Sequence, residues 1–167
     1  MRLETDRLTL TPFLRDDEAE ALRLFTDPGF MVDAFEADPT RETGLARFNG
    51  YLDMFEARGY SKLAVRWRGA PGIIGYCGYA EIPIDGVMSP DLGYRLLPSV
   101  RGKGVATEAA RAAIGWGFEQ LGMAHIDAIV RHKNAASRRV LEKLGLSYLH
   151  DMEVEGDPWM LYRLERA

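Results

Sequence analysis

One stretch in the second half of the chain limits the possible folds more than any other. The apolar residues up to Leu97 are typical of a strand, and the run Arg101-Gly102-Lys103-Gly104 is a basic, glycine-rich turn. A helical pattern begins at Ala106, and its apolar stripe consists mostly of small residues, so the helix can lie close to a sheet. A strand, a glycine turn and a closely packed helix in this order indicate an α/β fold.

The rest of the chain predicts a sheet flanked by helices, in the order β-α-α-β-β-β-α-β-α-β-β. Strands are predicted over residues 8–11, 62–67, 73–82, 91–97, 125–131, 148–154 and 159–164. Helices are predicted over 16–25, 45–59, 106–121 and 134–144, with 68–72 as a turn and 83–90 as a connection. We therefore expect one three-layer α/β (α+β) domain over residues 1–167, with a mixed, mostly antiparallel sheet of about seven strands and about four helices.

The composition narrows the choice of partners. Hydrophobic residues make up 47% and charged residues 28% of the 167 positions, a balance typical of a globular domain. A net charge of -4 disfavours nucleic acid, because a phosphate backbone attracts a basic surface. The single cysteine, Cys77, excludes an internal disulfide, and no apolar run approaches the roughly 20 residues that span a bilayer. We expect a cytoplasmic monomer or homodimer that binds neither membrane nor nucleic acid.

The glycine turn has the properties of a phosphate-binding site. The first amide groups of a helix lack an intrahelical acceptor, and the helix dipole attracts an anion to them. Gly102 and Gly104 let the backbone approach a ligand closely, and Arg101 and Lys103 add positive charge. The sequence does not match a nucleotide P-loop, which requires Gly-x-x-x-x-Gly-Lys-Ser/Thr.

Four stretches of the chain resemble one family in its own order. The run Arg101-Gly102-Lys103-Gly104-Val105-Ala106 resembles the R/Q-x-x-G-x-G/A signature of GNAT acetyltransferases. Leu3-Glu4-Thr5-Asp6-Arg7-Leu8 resembles the opening of the family's ribosomal-protein N-terminal acetyltransferase branch, the RimJ/RimL-like enzymes. Asp91-Leu92-Gly93-Tyr94 resembles the acidic-x-Gly-Tyr strand of that branch, and the stretch 134–145 resembles its Asn-x-x-Ser helix. The resemblance covers nearly the whole chain.

This resemblance implies the GNAT fold, acetyl-CoA as co-substrate and no metal. The backbone amides of residues 102–107 would hold the pyrophosphate, and strand atoms of residues 94–96 would pair with the pantetheine arm. Ser137 would be catalytic, near the thioester sulfur. The cofactor-binding residues that the resemblance implies are Tyr94, Arg95, Leu96, Arg101, Gly102, Lys103, Gly104, Val105, Ala106, Thr107 and Asn134.

The spacing of polar residues in the last helix agrees with this assignment. Asn134, Ser137, Leu141 and Leu144 lie at i, i+3, i+7 and i+10, so they share one helix face, and the leucines make it the buried face. Two polar residues that face inward need partners. Asn134 either caps the helix or contacts the cofactor, and one side chain can do both.

Asp91 is the candidate catalytic acid–base residue. Attack on a thioester requires a neutral amine, so a base or a water relay must remove the ammonium proton. Asp91 occupies a position where many family members have glutamate, and its shorter side chain favours a relay through water. The alternative is an exposed strand-end carboxylate paired with Arg95 on the same strand face. Tyr94 faces the other way and is expected in the core or as a cofactor wall.

Other candidate residues form no pattern of comparable strength. His125, His132 and His150 lack metal-ligand spacing, and Cys77 in an apolar strand is expected in the core. Trp159 either forms a wall of an acceptor pocket or packs in the core. The acidic segment 27–39, which contains Asp27, Asp33, Glu36 and Asp38, either attracts a cationic amine or is simply solvated.

Taken together, the sequence favours an acetyl-CoA-dependent N-acetyltransferase, an acyltransferase that acts by direct attack in a ternary complex. The expected acceptor is a primary amine, on a protein N-terminus or a small molecule. The alternative is a catalytically silent acyl-CoA-binding or sensor module, because cofactor and acceptor elements are separable.

Overall fold

The computed structural model describes residues 1–32 and 38–167 and contains a central eight-stranded sheet in the order β1-β2-β3-β4-β5-β6-β8-β7. The strands are β1 Leu3–Glu4, β2 Leu8–Pro12, β3 Lys62–Trp67, β4 Ile73–Ile84, β5 Val87–Leu96, β6 His125–Arg131, β7 Ser147–Val154 and β8 Asp157–Glu165. The helices are α1 Glu18–Phe25, α2 Arg41–Arg58, α3 Val105–Glu119 and α4 Ala135–Lys143. Short 3-10 turns precede α1 at Arg15–Asp17 and α3 at Pro98–Val100.

The sheet is mixed, as predicted. Every neighbouring pair is antiparallel except β5 and β6, which α3 connects as a crossover helix. The fold has one strand more than the seven predicted. The additional β1 pairs Leu3 with Leu10 and Glu4 with Thr9, and its two residues are too few to show an alternating pattern.

Helices cover both faces of the sheet, and alternating side chains of the strands reach each layer. Leu63 and Val65 of β3 belong to the hydrophobic core beneath α3 and α4, whereas Ala64 faces the core formed with α1 and α2. The small residues of α3 allow a close approach, as predicted. A Cβ atom at Gly117 would overlap the Tyr79 hydroxyl group.

The predicted connection over residues 83–90 was wrong, because this stretch is a hairpin. Strand β4 continues to Ile84, β5 begins at Val87, and Asp85-Gly86 forms a two-residue turn with φ angles of 50° and 83°. Two positive φ angles are typical of the hairpin turns that Asp-Gly favours. The prolines at positions 83 and 90 suggested a break, but both residues lie in register within the ladder.

The other predicted elements are present with small shifts at their ends. Helix α2 is terminated by Gly59, the residue after its last turn, which has a left-handed conformation with φ of 75°. The β3–β5 strands form the predicted antiparallel meander. Asp33 and Glu36 of the predicted acidic segment lie outside the described residues.

Candidate active site

The sheet opens between β5 and β6, and Asp91 lies where it opens. Within these two strands, both fully described, the parallel register contains the single pair Asp91 and Asp127. Next to it, the Asp91 carboxylate accepts a hydrogen bond from the backbone N–H of Ile129 at 2.9 Å, so a side chain takes the place of a ladder partner. Beyond this point the backbone of β5 faces a gap.

Asp91 is therefore not the exposed strand-end residue of the alternative interpretation. It lies in the middle of β5, because that strand begins at Val87. Its carboxylate contacts the Ile129 amide and lies 4.0 Å from Lys62 Nζ. Arg95 instead donates to the carbonyl oxygen of Phe30 and to the Tyr76 hydroxyl group.

Two cavities meet at the gap in the sheet. The larger cavity, of 880 Å³, lies between α2, the β4–β5 hairpin and β6, and Asp91 is part of its lining. The smaller cavity, of 460 Å³, lies between the end of β5, the start of α3 and α4. Tyr94, Arg95, Asn134 and Ser137 line both cavities, so a ligand can extend from one into the other.

The glycine turn forms one end of the smaller cavity. Gly102 and Gly104 have φ angles of 73° and 76°, a left-handed conformation that favours glycine. The first hydrogen bond of α3 runs from Glu108 N to Gly104 O at 3.0 Å, so the N–H groups of residues 105–107 are left for a ligand. This arrangement fits a phosphate group.

The smaller cavity brings together every predicted cofactor-binding residue except Lys103. The ammonium of Lys103 donates to the Ser99 carbonyl at 2.9 Å and so caps the preceding turn. Arg101 Nε donates to the Leu96 carbonyl at 3.0 Å, which ties the glycine turn to the end of β5. These side chains brace the turn that presents the amide groups.

A contact from the N-terminus also fixes this turn. The Glu108 carboxylate accepts hydrogen bonds from the Thr5 hydroxyl at 2.6 Å, the Arg7 amide at 2.9 Å and Arg7 Nε at 2.6 Å. Arg7 also donates to the Lys103 carbonyl at 3.0 Å. Thus β1 and the turn before β2 are attached to the first turn of α3.

Asn134 and Ser137 lie at the start of α4, as their spacing predicts. Asn134 Oδ1 accepts from Ser137 N at 3.1 Å, so Asn134 caps the helix while it lines both cavities. The oxygen atoms of Ser137 and Tyr94 are 2.9 Å apart, within hydrogen-bonding distance. Burial raises the pKa of the Tyr94 phenol, which therefore stays protonated and can donate.

Asp91 lies in an environment that changes its proton affinity. Its side chain is 13% exposed, and burial raises its pKa to about 6, while Lys62 and the Ile129 amide act in the opposite direction. The buried Asp127 adds a smaller upward effect on that pKa, although Arg163 binds both Asp127 oxygens at 2.6 and 2.8 Å. At neutral pH the Asp91 carboxylate is ionised and can accept a proton.

Several residues that sequence reasoning missed or left open line the larger cavity. Trp159 is 8% exposed, lies in the wall and stacks under the Arg131 guanidinium at 4.5 Å, so it packs and also shapes the cavity. Glu81 accepts from the Tyr60 hydroxyl at 2.8 Å. Lys62, which sequence reasoning missed, is 7% exposed. A lysine in an apolar strand was a visible signal, but its target depends on the strand register.

The remaining candidates line neither of the two cavities. His125, His132 and His150 each lie next to an aspartate, at 3.3, 3.1 and 3.1 Å respectively. Cys77 is fully buried, and burial raises the pKa of its thiol to about 12. Over residues 1–32 and 38–167, His, Cys, Asp and Glu form no group suited to a metal ion. Within the same ranges, the helices are too short or too polar to cross a membrane.

Comparison with known proteins agrees with this geometry. Residues 7–147 match the acetyltransferase (GNAT) domain family. The uncharacterized N-acetyltransferase YoaA of Bacillus subtilis strain 168 is 30% identical over 154 residues, which cover 86% of this chain and 81% of that protein. A GNAT-family acetyltransferase from Bordetella pertussis superposes with a TM-score of 0.86 over 98% of both chains, at 20% identity.

A second similar structure contains a ligand. RimL, a ribosomal L7/L12 alpha-N-protein acetyltransferase in complex with coenzyme A, superposes with a TM-score of 0.80, 16% identity and coverage of 99% of this chain and 98% of RimL. At this identity the likeness describes the fold alone. From the family match and the fold, the chain belongs to the GNAT acetyltransferase family.

Proposed function

We propose that this protein transfers an acetyl group from acetyl-CoA to a primary amine. The observation that carries the proposal is the meeting of two cavities at Tyr94 and Ser137, with Asp91 in the wall of the larger cavity and the amide cradle of α3 at the far end of the smaller one. One cavity suits a long phosphate-bearing cofactor, and the other suits an acceptor. Both would be bound at once, which favours direct transfer in a ternary complex.

The smaller cavity would hold acetyl-CoA, which supplies the acetyl thioester. The amides of residues 102–107 would bind the pyrophosphate, because glycine turns and helix starts bind anions. The backbone of residues 94–96 lies at the gap in the sheet and offers groups to which the amides of a pantetheine arm can bond. The side-chain amide of Asn134 would contact the same arm while its oxygen caps α4.

Asp91 would remove the proton from the attacking amine, directly or through water. It lines the acceptor cavity, and with a pKa of about 6 its carboxylate is ionised at pH 7. A base with a pKa just below the working pH is both available and effective. The hydrogen bond from Ile129 holds one carboxylate oxygen, which leaves the other for the relay.

Ser137 would donate a proton or hydrogen bond to the departing sulfur. Its hydroxyl lies where the two cavities meet, and the Tyr94 hydroxyl is its partner at 2.9 Å. Because the Tyr94 phenol stays protonated, it can donate to Ser137 as that hydroxyl donates onward. Negative charge on the sulfur would thus be stabilised through two hydroxyl groups.

The proposed acceptor is a protein N-terminus or a small-molecule amine. Resemblance to the RimJ/RimL-like branch supports the N-terminus, and RimL itself is an alpha-N-protein acetyltransferase. The larger cavity carries the carboxylates of Glu81, Asp91 and Glu155 among its lining, which suits a cationic amine.

An acetylation assay with acetyl-CoA and a panel of peptide N-termini and small amines tests this function. We expect saturable release of CoA thiol that depends on the amine. We also expect acetyl-CoA to raise the melting temperature, because at 100 times Kd it adds about 2.7 kcal/mol to the free energy of unfolding. A melting shift without acetylation of any amine would instead indicate an acyl-CoA-binding or sensor module. No melting shift would contradict cofactor binding.

A further inference from the structure

Lys62 lies in a row of residues that crosses three strands. In the sheet register, Lys62 of β3 pairs with Gly78 of β4, and Gly78 pairs with Gly93 of β5. Neither glycine has a side chain to occupy the space beside the lysine. A Cβ atom at Gly93 would lie 2.6 Å from Lys62 Nζ, so the ammonium uses the space that this glycine leaves.

The ammonium at the end of this row is bound by β4 and β5. Lys62 Nζ donates to the Gly78 carbonyl at 2.9 Å and to the Asp91 carbonyl at 3.2 Å, and it lies 4.0 Å from the Asp91 carboxylate. Lys62 and Asp91 both line the larger cavity. The lysine therefore places a positive charge beneath the carboxylate that faces the acceptor.

A buried lysine is a costly way to fill this position. Burial lowers the pKa of the Lys62 ammonium, which reports the loss of its hydration, and Asp91 only partly compensates. Buried ion pairs often contribute little net stability compared with apolar residues of similar size. A contribution to stability therefore explains a lysine at this position poorly. An electrostatic effect on the neighbouring Asp91 carboxylate explains it directly.

Other charged and titratable groups around the pair do not replace this lysine. Asp127 of β6 disfavours a charged Asp91, and Tyr94 of β5, Tyr76 and Cys77 of β4 and Arg47 of α2 act on the pair at longer range. The Ile129 amide stabilises the Asp91 carboxylate as a neutral hydrogen-bond donor. Among the residues that the structure describes, Lys62 is the cation that acts directly on Asp91.

We propose that Lys62 is a positioning residue whose charge keeps the Asp91 carboxylate ionised at the acceptor cavity. The inference rests on the proposed function, in which Asp91 accepts the amine proton. Loss of the Lys62 charge would leave Asp91 protonated over part of the working pH range. A neutral Asp91 cannot accept a proton, so activity would be lost first at low pH.

The test measures Asp91 directly and the reaction separately. The carboxyl carbon of Asp91 is followed by 13C NMR in protein labelled at aspartate, assigned with Asp91→Asn, across a pH titration. In Lys62→Met, which keeps the unbranched side chain except for its terminal amino group, we expect the Asp91 midpoint to rise by about 1 to 3 pH units. The midpoint of the acid limb of the kcat/KM pH profile should move to higher pH by the same amount. Arg23→Met, an exposed cation on α1, should move neither.

A second variant moves the charge without removing it. In Gly93→Ala the new methyl group would displace the flexible end of Lys62, and we expect a smaller rise of the Asp91 midpoint. An unchanged midpoint in folded Lys62→Met, verified by its circular dichroism, would overturn the proposal. A raised midpoint with an unmoved acid limb would support the effect of Lys62 on Asp91 but overturn the role of Asp91 as the base.

Discussion

Tyr94 and Ser137 come from elements far apart in the sequence, yet their hydroxyl oxygens are 2.9 Å apart where the two cavities meet. Strand β5 supplies the tyrosine and the first turn of α4 supplies the serine. The pair joins the strand that faces the gap in the sheet to the helix that closes it.

This contact predicts how substitutions of the two hydroxyls will affect the reaction. Ser137→Ala should lower kcat by about 10²–10⁴-fold, the usual contribution of a general acid, with little change in KM for acetyl-CoA. The cap of α4 should survive, because Asn134 accepts from the backbone N–H of residue 137. Tyr94→Phe should lower kcat less.

Steady-state kinetics of both single variants and the double variant measure the coupling. If Tyr94 acts through Ser137, Tyr94→Phe should have little further effect in the Ser137→Ala background. A wild-type kcat in Ser137→Ala would reduce that residue to a packing role at the start of α4.

Asp91→Asn should remove the base and keep the shape, since asparagine can still accept from the Ile129 amide. In the wild-type protein the active form is the ionised carboxylate, so kcat/KM should rise with pH through about 6 and then level off. The variant should lack this rise and be slow at neutral pH. Its deficit should shrink as the pH approaches the pKa of the amine, where free amine is abundant.

A pH–rate profile of Asp91→Asn against wild type makes the comparison. If Asp91 bound the acceptor charge instead, the defect would appear in KM for the amine. A small effect that is equal at every pH would refute the base assignment and leave Asp91 as the residue that closes the end of the β5–β6 pairing.

Gly104→Ala should weaken acetyl-CoA binding through the backbone. A residue with a Cβ atom at φ of 76° costs about 1–2 kcal/mol, and relief of that strain would turn the amides of the cradle away from the phosphate. Gly122→Ala is a matched control, because Gly122 has φ of 67°, open space for a Cβ and a position beyond the other end of α3. Both variants should lose similar stability, as measured by thermal unfolding.

Isothermal titration with CoA separates the two glycine variants. Only Gly104→Ala should lose affinity. Equal affinities in the two folded variants would show that the phosphate binds elsewhere.

Arg7→Met should loosen the attachment of the glycine turn to the N-terminus. It removes the ion pair with Glu108 and the hydrogen bond to the Lys103 carbonyl. We expect CoA affinity to fall about two- to fivefold, equivalent to at most about 1 kcal/mol, because the arginine is partly exposed. Arg2→Met, which removes the exposed ion pair with Glu4, is the control and should leave CoA affinity unchanged.

The sequence was sufficient to predict the features that depend only on residues close together in the chain. The glycine turn, the small-residue stripe of α3 and the cap at Asn134 depend on neighbours within a few positions, and all three are present. The hairpin at Asp85-Gly86 also had a local signal, but the flanking prolines outweighed it. Proline is tolerated in a strand where its missing N–H is not needed.

The surroundings of Asp91 could not be predicted from the sequence, because they depend on the register between strands that are far apart in the chain. Lys62 reaches Asp91 only because the register places Gly78 and Gly93 beside it. The interpretation of Asp91 as a partner of Arg95 followed from strand alternation alone. Arg95 instead binds backbone oxygen of Phe30, on a segment 65 residues away.

The turn before α3 offers a ligand amide groups, which almost every residue type carries. A ligand held in this way recognises the path of the main chain and is largely indifferent to the side chains attached to it. Only the positions whose left-handed geometry bends that path, Gly102 and Gly104, are tied to one amino acid. A protein built on such a turn can exchange most of the side chains along it without losing the amide groups that the turn presents.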